Sequence, residues 1–330
     1  TAEVLGEEEI WQETKMDKKF WKFVQVYHKK FGKGFLYTAN FRAKQEDSVE
    51  VFQENFKEFL KDFKPSAQII KHCVFNEKPK ISLILPKQDA HFNKLDIYGN
   101  NDIENRFSVN HFSILNMLKK AEATNFIKEV VYIIGSDQFN SEWTEATTKG
   151  TIQKNILSHQ EAFKAICNHE VKVINTLISY SEKVKIVFIP GNHDQFVGWH
   201  LIDWLESYYR NEAFISFNTS VENTKYYKYG NTAVMLNHGD AIKPKELAAK
   251  FPIGFKESWS SCDNFVILCG DKHFETSNDF NGIKFYQVPQ LSSAKGSWDD
   301  KQGYIYGKAE AMAFVITEEK GISDIYKDLL

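Results

Sequence analysis

From residue 81 onward, short runs of β-branched and aliphatic residues recur, and each run stops abruptly at small or polar residues. Residues 81–85 (ISLIL), 130–134 (VVYII) and 184–189 (VKIVFI) read as buried strands. Between them, residues 158–180 place Phe163, Ile166, Val171, Ile174 and Leu177 at helical spacing. Residues 201–209 put Leu201, Trp204, Leu205 and Tyr208 on one side of a second helix. Further short strands are predicted at 233–236, 265–268, 285–288 and 312–316. Strand, loop and helix in repetition predict an α/β (α+β) domain over 81–330, a two-layer β-sandwich flanked by helices.

Residues 1–80 follow another pattern. Two aromatic, partly alternating runs, 21–28 (WKFVQVYH) and 35–42 (FLYTANFR), flank Phe31-Gly-Lys-Gly34, which predicts a hairpin. Residues 49–63 carry Val49, Phe52, Phe56, Phe59, Leu60 and Phe63 at helical spacing, and Pro65 ends the run. A small α+β N-terminal module is expected here, hairpin plus helix.

Composition narrows the function classes. The 330 residues are 42% hydrophobic and 26% charged, ordinary for a globular chain. A net charge of −3 argues against binding nucleic acid by an overall basic field. No apolar run approaches transmembrane length, and no signal-peptide pattern is read at the start. Cys73, Cys167, Cys262 and Cys269 form no C-x-x-C pair, which predicts reduced thiols and a cytoplasmic setting.

The candidate chemistry falls where strands stop, the place where open α/β sheets hold ligands. Asp89-Ala-His91 follows the first strand, and Gly135-Ser-Asp137, with Asn140, the second. Gly191-Asn-His-Asp194 follows the third, Asn237-His-Gly-Asp240 the fourth, and Gly270-Asp-Lys-His273 the fifth. Carboxylate, imidazole and carboxamide are the donors that hard and borderline divalent metals take. Glycine lets the backbone turn sharply enough to gather them.

In this order, Asp89-Ala-His91, Asp137, Gly191-Asn192-His193-Asp194, His238 and Gly270-Asp-Lys-His273 resemble the motifs of the calcineurin-like metallophosphoesterases. The resemblance covers about residues 81–316. The segment from Asn140-Ser-Glu-Trp143 to Thr147-Thr-Lys-Gly-Thr151 is similar to uncharacterised phage-encoded members, which places the chain in a host cytoplasm. The resemblance implies two divalent ions, Mn²⁺ first, with Fe, Zn or Mg as alternatives. It assigns Asp89, His91, Asp137 and His273 to the first ion. Asp137, Asn192, His238 and the residue at the first histidine of G-H-x-H go to the second, so Asp137 bridges. It makes His193 the acid or charge stabiliser beside the phosphate, oriented by Asp194, with metal-activated hydroxide as nucleophile.

Two departures stand out. One residue, Ser136, is inserted in the G-D motif, and Asp271 replaces the first histidine of G-H-x-H. A carboxylate is an acceptable metal ligand there. The expected function is a bimetal-dependent phosphodiesterase or nuclease acting on DNA or RNA. A phosphomonoesterase or protein phosphatase is the alternative, and a non-catalytic metal-binding protein the third reading. No membrane partner is expected, and oligomeric state is left open.

Overall fold

The structure is a computed structural model. It describes Glu8, the backbone of Trp21–Phe31 and Gly34–Ala43, and residues 78–303 and 307–330, the side chains of 298 and 302 excepted. The chain divides into two compact units, Thr1–Ala67 and Gln68–Leu330. In the first, β1 (Trp21–Phe31) and β2 (Gly34–Ala43) pair antiparallel, with an irregularity between Phe23 and Gln25. The helix expected over 49–63 lies outside the described residues.

The second unit holds two sheets. In one, β3 (Lys80–Leu85), β4 (Phe126–Gly135), β5 (Lys183–Ile189) and β6 (Ile215–Asn218) run parallel. β12 (Glu310–Thr317) joins β3 antiparallel, and β13 (Gly321–Leu329) forms the edge. The other sheet has β11 (Ile283–Gln287), β9 (Asn264–Cys269) and β8 (Thr232–Asn237) parallel at its centre. β10 (Thr276–Phe280) and β7 (Thr224–Tyr229) flank them antiparallel.

Alternation explains how the sheets stack. Side chains on a strand point to opposite faces with period two. Val131 and Ile133 of β4 and Val187 and Ile189 of β5 therefore meet Val234, Leu236, Val266 and Leu268 of the facing sheet in one buried cluster. Val130, Tyr132 and Ile134 point the other way and are equally buried. A parallel strand covered on both faces reads as a continuous apolar run, which is why β4 was visible in the sequence. α1 (Ile103–Thr124), α2 (His159–Tyr180) and α3 (Gln195–Tyr208) pack on one side of the sandwich. α4 (Pro244–Gly254) covers the far sheet, setting Leu247, Ala248 and Phe251 against Met235, Ile267 and Phe285. The layers run helix, sheet, sheet, helix, the two-layer sandwich flanked by helices expected from the pattern. No described helix is long and apolar enough to cross a membrane.

α1, α4, β6, β7, β10 and β13 had not been predicted. α1 does carry Ile103, Phe107, Ile114, Met117, Leu118 and Ala121 on its buried side, but Arg106, Asn110 and Ser113 are buried among them and blur the period. Arg106 is there to donate to the carbonyls of Phe92, Lys94 and Asn100, fixing the segment after β3.

Candidate metal centre

The strand exits converge. Beyond β3 and β4 the parallel pairing continues as a ladder in the loops: Asp89 N donates to Ser136 O at 2.8 Å, His91 N to Asp137 O at 2.9 Å, and Phe92 N to Gln138 O at 3.1 Å. On the facing sheet, Gly270 N donates to His238 O at 2.8 Å, and Asp271 N reaches across to Asp89 Oδ2 at 2.9 Å. Close approach requires two of the glycines. A Cβ on Gly191 would lie 2.1 Å from Asp137 Oδ1, and one on Gly270 would lie 2.5 Å from Asp89 Oδ2.

Backbone strain is concentrated here. Of the eight described non-glycine residues at positive φ, six are Asp89, His91, Ser136, Asp137, Asp271 and His273. The left-handed region costs an L-residue about 1–2 kcal/mol. Such strain gathers where geometry serves function.

The side chains form two adjoining groups. In one, His91 Nε2 and His273 Nε2 stand 3.4 Å apart, and His273 Nε2 is 3.5 Å from Asp89 Oδ1. In the other, His238 Nε2 lies 3.1 Å from Asp137 Oδ2, 3.1 Å from Asn192 Oδ1 and 3.7 Å from Asp271 Oδ1. Neighbouring ligand atoms around an ion at about 2.1 Å are about 3–3.5 Å apart. Asp137 stands next to both groups: it clusters with Asp89 and His238, and separately with His91 and His193, within 4.8 Å.

The residues fit divalent ions on their own evidence. Asp89 Oδ1 is buried without a hydrogen-bond partner, a costly state for a carboxylate that a cation would relieve. Two imidazole nitrogens facing each other cannot both carry protons, whereas both can ligate. Burial, with His193 close by, pushes His91 well below its ordinary value, so it is held in the neutral, ligating form. Burial also disfavours charge on Asp137, but His238 and His193 outweigh it and hold the carboxyl well below the usual range. His238 is pushed down by burial yet raised by Asp137 to about 10. A proton there stands in for the positive charge an ion would bring.

His193 and Asp194 differ from expectation in one respect. His193 Nδ1 donates to the Asn140 carbonyl at 2.7 Å, so that carbonyl, and not Asp194, sets its tautomer. Asp194 faces the β4 exit instead. Its Oδ1 accepts from Asp137 N at 3.1 Å, and its Oδ2 from Gln138 N at 2.7 Å and Phe139 N at 3.2 Å. The physical reason is that the turn after β4 leaves three N–H groups pointing into a buried space, and only a carboxylate there can answer them. Burial and Asp137 raise the Asp194 carboxyl to about 7. Asp194 is the N-cap residue of α3, but its side chain does not cap the helix; Glu142 does, accepting from Phe196 N at 2.8 Å and Val197 N at 3.1 Å.

Several supporting groups were not foreseen. Ser136, the inserted residue, bonds His238 Nδ1 through its hydroxyl at 2.8 Å and so leaves Nε2 free to ligate. Glu170 of α2 accepts from Lys87 Nζ at 2.5 Å, Gln138 Nε2 at 2.7 Å and Tyr132 OH at 2.9 Å, all buried. Lys87 is two residues before Asp89 and Gln138 is next to Asp137, so one carboxylate ties both exits together. A charge on the apolar side of a helix was the signal available for Glu170. The loop over 144–155 joins the site through Thr148, whose N–H and hydroxyl both donate to Asn192 O, at 2.9 and 3.1 Å. Lys149 pairs with Asp240 at 3.6 Å in solvent, and Lys272 pairs with Asp271.

No family model and no curated protein matches the chain. Solved structures do resemble it at a distance. An archaeal phosphodiesterase is 10% identical and covers 75% of this chain and 99% of its own, with a TM-score of 0.36. Wild-type Vps29 of Entamoeba histolytica complexed with zinc is 12% identical, covers 75% and 98%, and scores 0.32. A conserved protein of Streptococcus pneumoniae, described as a predicted phosphoesterase, is 9% identical, covers 76% and 98%, and scores 0.28. At these values the likeness is one of shape, and what the chain does is read from its own residues.

Proposed function

We propose that the chain is a two-metal phosphoester hydrolase of the calcineurin-like metallophosphoesterase kind, and that it cleaves phosphodiesters of nucleic acid. One observation carries the reading: two donor groups adjoin at five strand exits, and Asp137 clusters within 4.8 Å with Asp89 and His238 and also with His91 and His193. Asp89, His91 and His273 would hold one ion with Asp137. Asn192, His238 and Asp271 would hold the other, also with Asp137. Mixed oxygen and imidazole donors suit Mn²⁺, and also Fe, Zn or Mg. Two ions so held supply Lewis acidity toward phosphoryl oxygens and a water-derived nucleophile near neutral pH.

The chain's own residues do the rest. With His193 Nδ1 committed to the Asn140 carbonyl, the exchangeable proton sits on Nε2, 3.9 Å from Asp137 Oδ2. Protonated there, His193 steadies negative charge on the phosphoryl group and delivers its proton to the departing ester oxygen. Asp194 positions the Asp137 turn. Asp89, Asp137 and His238 are buried, while His193, Asp271 and His273 are partly open to solvent, so one side of the centre faces outward. Among the described residues, one cavity lined by Lys185, Phe217 and Tyr227 and another by Leu85, Asn110 and Met117 lie away from the centre. A centre at the surface, and not at the bottom of a closed pocket, supports an extended diester over a small ester.

The test is hydrolysis of bis-p-nitrophenyl phosphate, p-nitrophenyl phosphate and single- and double-stranded DNA, with Mn²⁺ and with chelator. Cleavage of the diester and of DNA, lost with chelator, is expected. Preference for the monoester would give the phosphatase reading. Bound ions without hydrolysis of any of these would give a binding protein.

A further inference from the structure

We propose that the surface beside His193 is a stacking platform for a base of single-stranded nucleic acid. The proposal rests on the phosphodiesterase reading and names where the rest of that substrate lies.

Exposed aromatic side chains scattered singly need no explanation. These are contiguous. Trp143 is 48% exposed and Phe196 is 59% exposed. The Trp143 ring lies 4.5 Å from the His159 ring and 5.4 Å from the His200 ring, centre to centre. The His200 ring lies 5.5 Å from that of Trp199 and donates from Nδ1 to Phe196 O at 2.7 Å. One strip thus runs His159, Trp143, His200, Trp199, with Phe196 one helical turn before His200.

The strip is fixed to the catalytic side of the centre at two points. Glu142, next to Trp143, holds the N–H groups of Phe196 and Val197, so the segments that carry the two exposed rings are tied together through Glu142. Asn140, three residues before Trp143, holds His193 through its carbonyl. Three residues reach at most about 11 Å. A phosphodiester seated beside His193 therefore has a neighbouring base within reach of Trp143. Flat aromatic faces bind bases of any sequence, each at about 1–3 kcal/mol. That supplies affinity without the overall basic field this chain lacks. The adjoining exposed Thr144 and Thr151 offer hydroxyl contacts of the kind a backbone takes, and exposed Lys149, paired with Asp240 at 3.6 Å, a cationic one.

The experiment compares binding of a phosphorothioate decathymidylate with an abasic decamer of the same backbone, using Mn²⁺-loaded full-length protein and its tryptophan fluorescence. The wild type is expected to prefer the strand with bases by about 10- to 100-fold, the range one stacked base carries. Trp143→Ala should collapse that preference at unchanged metal content, Phe196→Ala should reduce it, and Trp143→Phe should restore most of it. Equal affinity for the two strands in the wild type would overturn the platform. So would a preference that survives in both Trp143→Ala and Phe196→Ala, or no binding of either strand, which would leave the strip to a protein. Hydrolysis of bis-p-nitrophenyl phosphate by the wild type separates the two claims. Diester cleavage without base preference sinks the platform alone, and absence of diester cleavage sinks the phosphodiesterase reading whatever the strands do.

Discussion

The two halves of the candidate metal centre are built differently from the same kinds of residue. The half with Asp89, His91 and His273 has one carboxylate and two imidazoles, and its His91 is kept neutral by burial. The half with Asn192, His238 and Asp271 has one imidazole, one amide and one carboxylate, and its histidine is drawn toward the charged form by Asp137. In the proposed centre the first half would take an ion as it stands, and the second would first give up a proton. Asp137 stands between them and feels both, so the halves are one device with unequal parts.

The largest effect should come from the shared residue. Asp137→Asn is expected to cost both ions and about 10³-fold or more in kcat/KM, since Lewis-acid stabilisation is worth several kcal/mol. Metal analysis beside turnover checks it; retention of two ions with full activity would dissolve the comparison. His193→Ala should leave both halves loaded and lower kcat by about 10²–10⁴-fold, the usual share of a general acid. If ions are lost with the activity, His193 is a ligand and belongs to the first half.

Smaller effects should separate the halves. Ser136→Ala frees the His238 ring, and the second ion alone should bind about 10–100-fold more weakly, as happens when a ligand's outer partner is removed. Calorimetry with Mn²⁺ resolves the two binding events. The pH dependence should differ as well. His238, raised by Asp137, must lose its proton to ligate, so affinity for the second ion should climb as pH rises from about 6.5 to about 8.5. His91 is already neutral in that window, so the first ion should show the weaker response. Equal slopes would contradict the asymmetry. The smallest change is expected of Asp271→His, which should keep two ions and shift preference from Mn²⁺ toward Zn²⁺. An unchanged order of metals would mean that Asp271, already paired with Lys272, stands outside the ligand shell.

Much of the centre was legible because its residues are local to strand ends. A buried strand announces itself by β-branched residues, and a polar cluster after it stands out by contrast. That singled out the residues at the five strand exits, which the fold does bring together. What could not be read was which atom answers which. Asp194 adjoins His193 in sequence, yet its carboxylate serves the turn after β4, because the unsatisfied N–H groups there come from another strand. Ser136 looked like an interruption, but it carries a hydroxyl across to the facing sheet. Glu170 lies about 80 residues from Lys87, and the packing of α2 against the sheet brings them together. α1 was missed because its buried polar residues serve the loop after β3 and break the apolar period.

The central claim is that one carboxylate serves two ions. Its most direct test is a crystal structure of the protein loaded with Mn²⁺, with the ions located by anomalous scattering. The prediction is two peaks about 3.5–4 Å apart. Asp137 oxygens should lie within about 2.6 Å of both, and His193 Nε2 should be bound to neither. A single peak, or two peaks with Asp137 on only one of them, would contradict it.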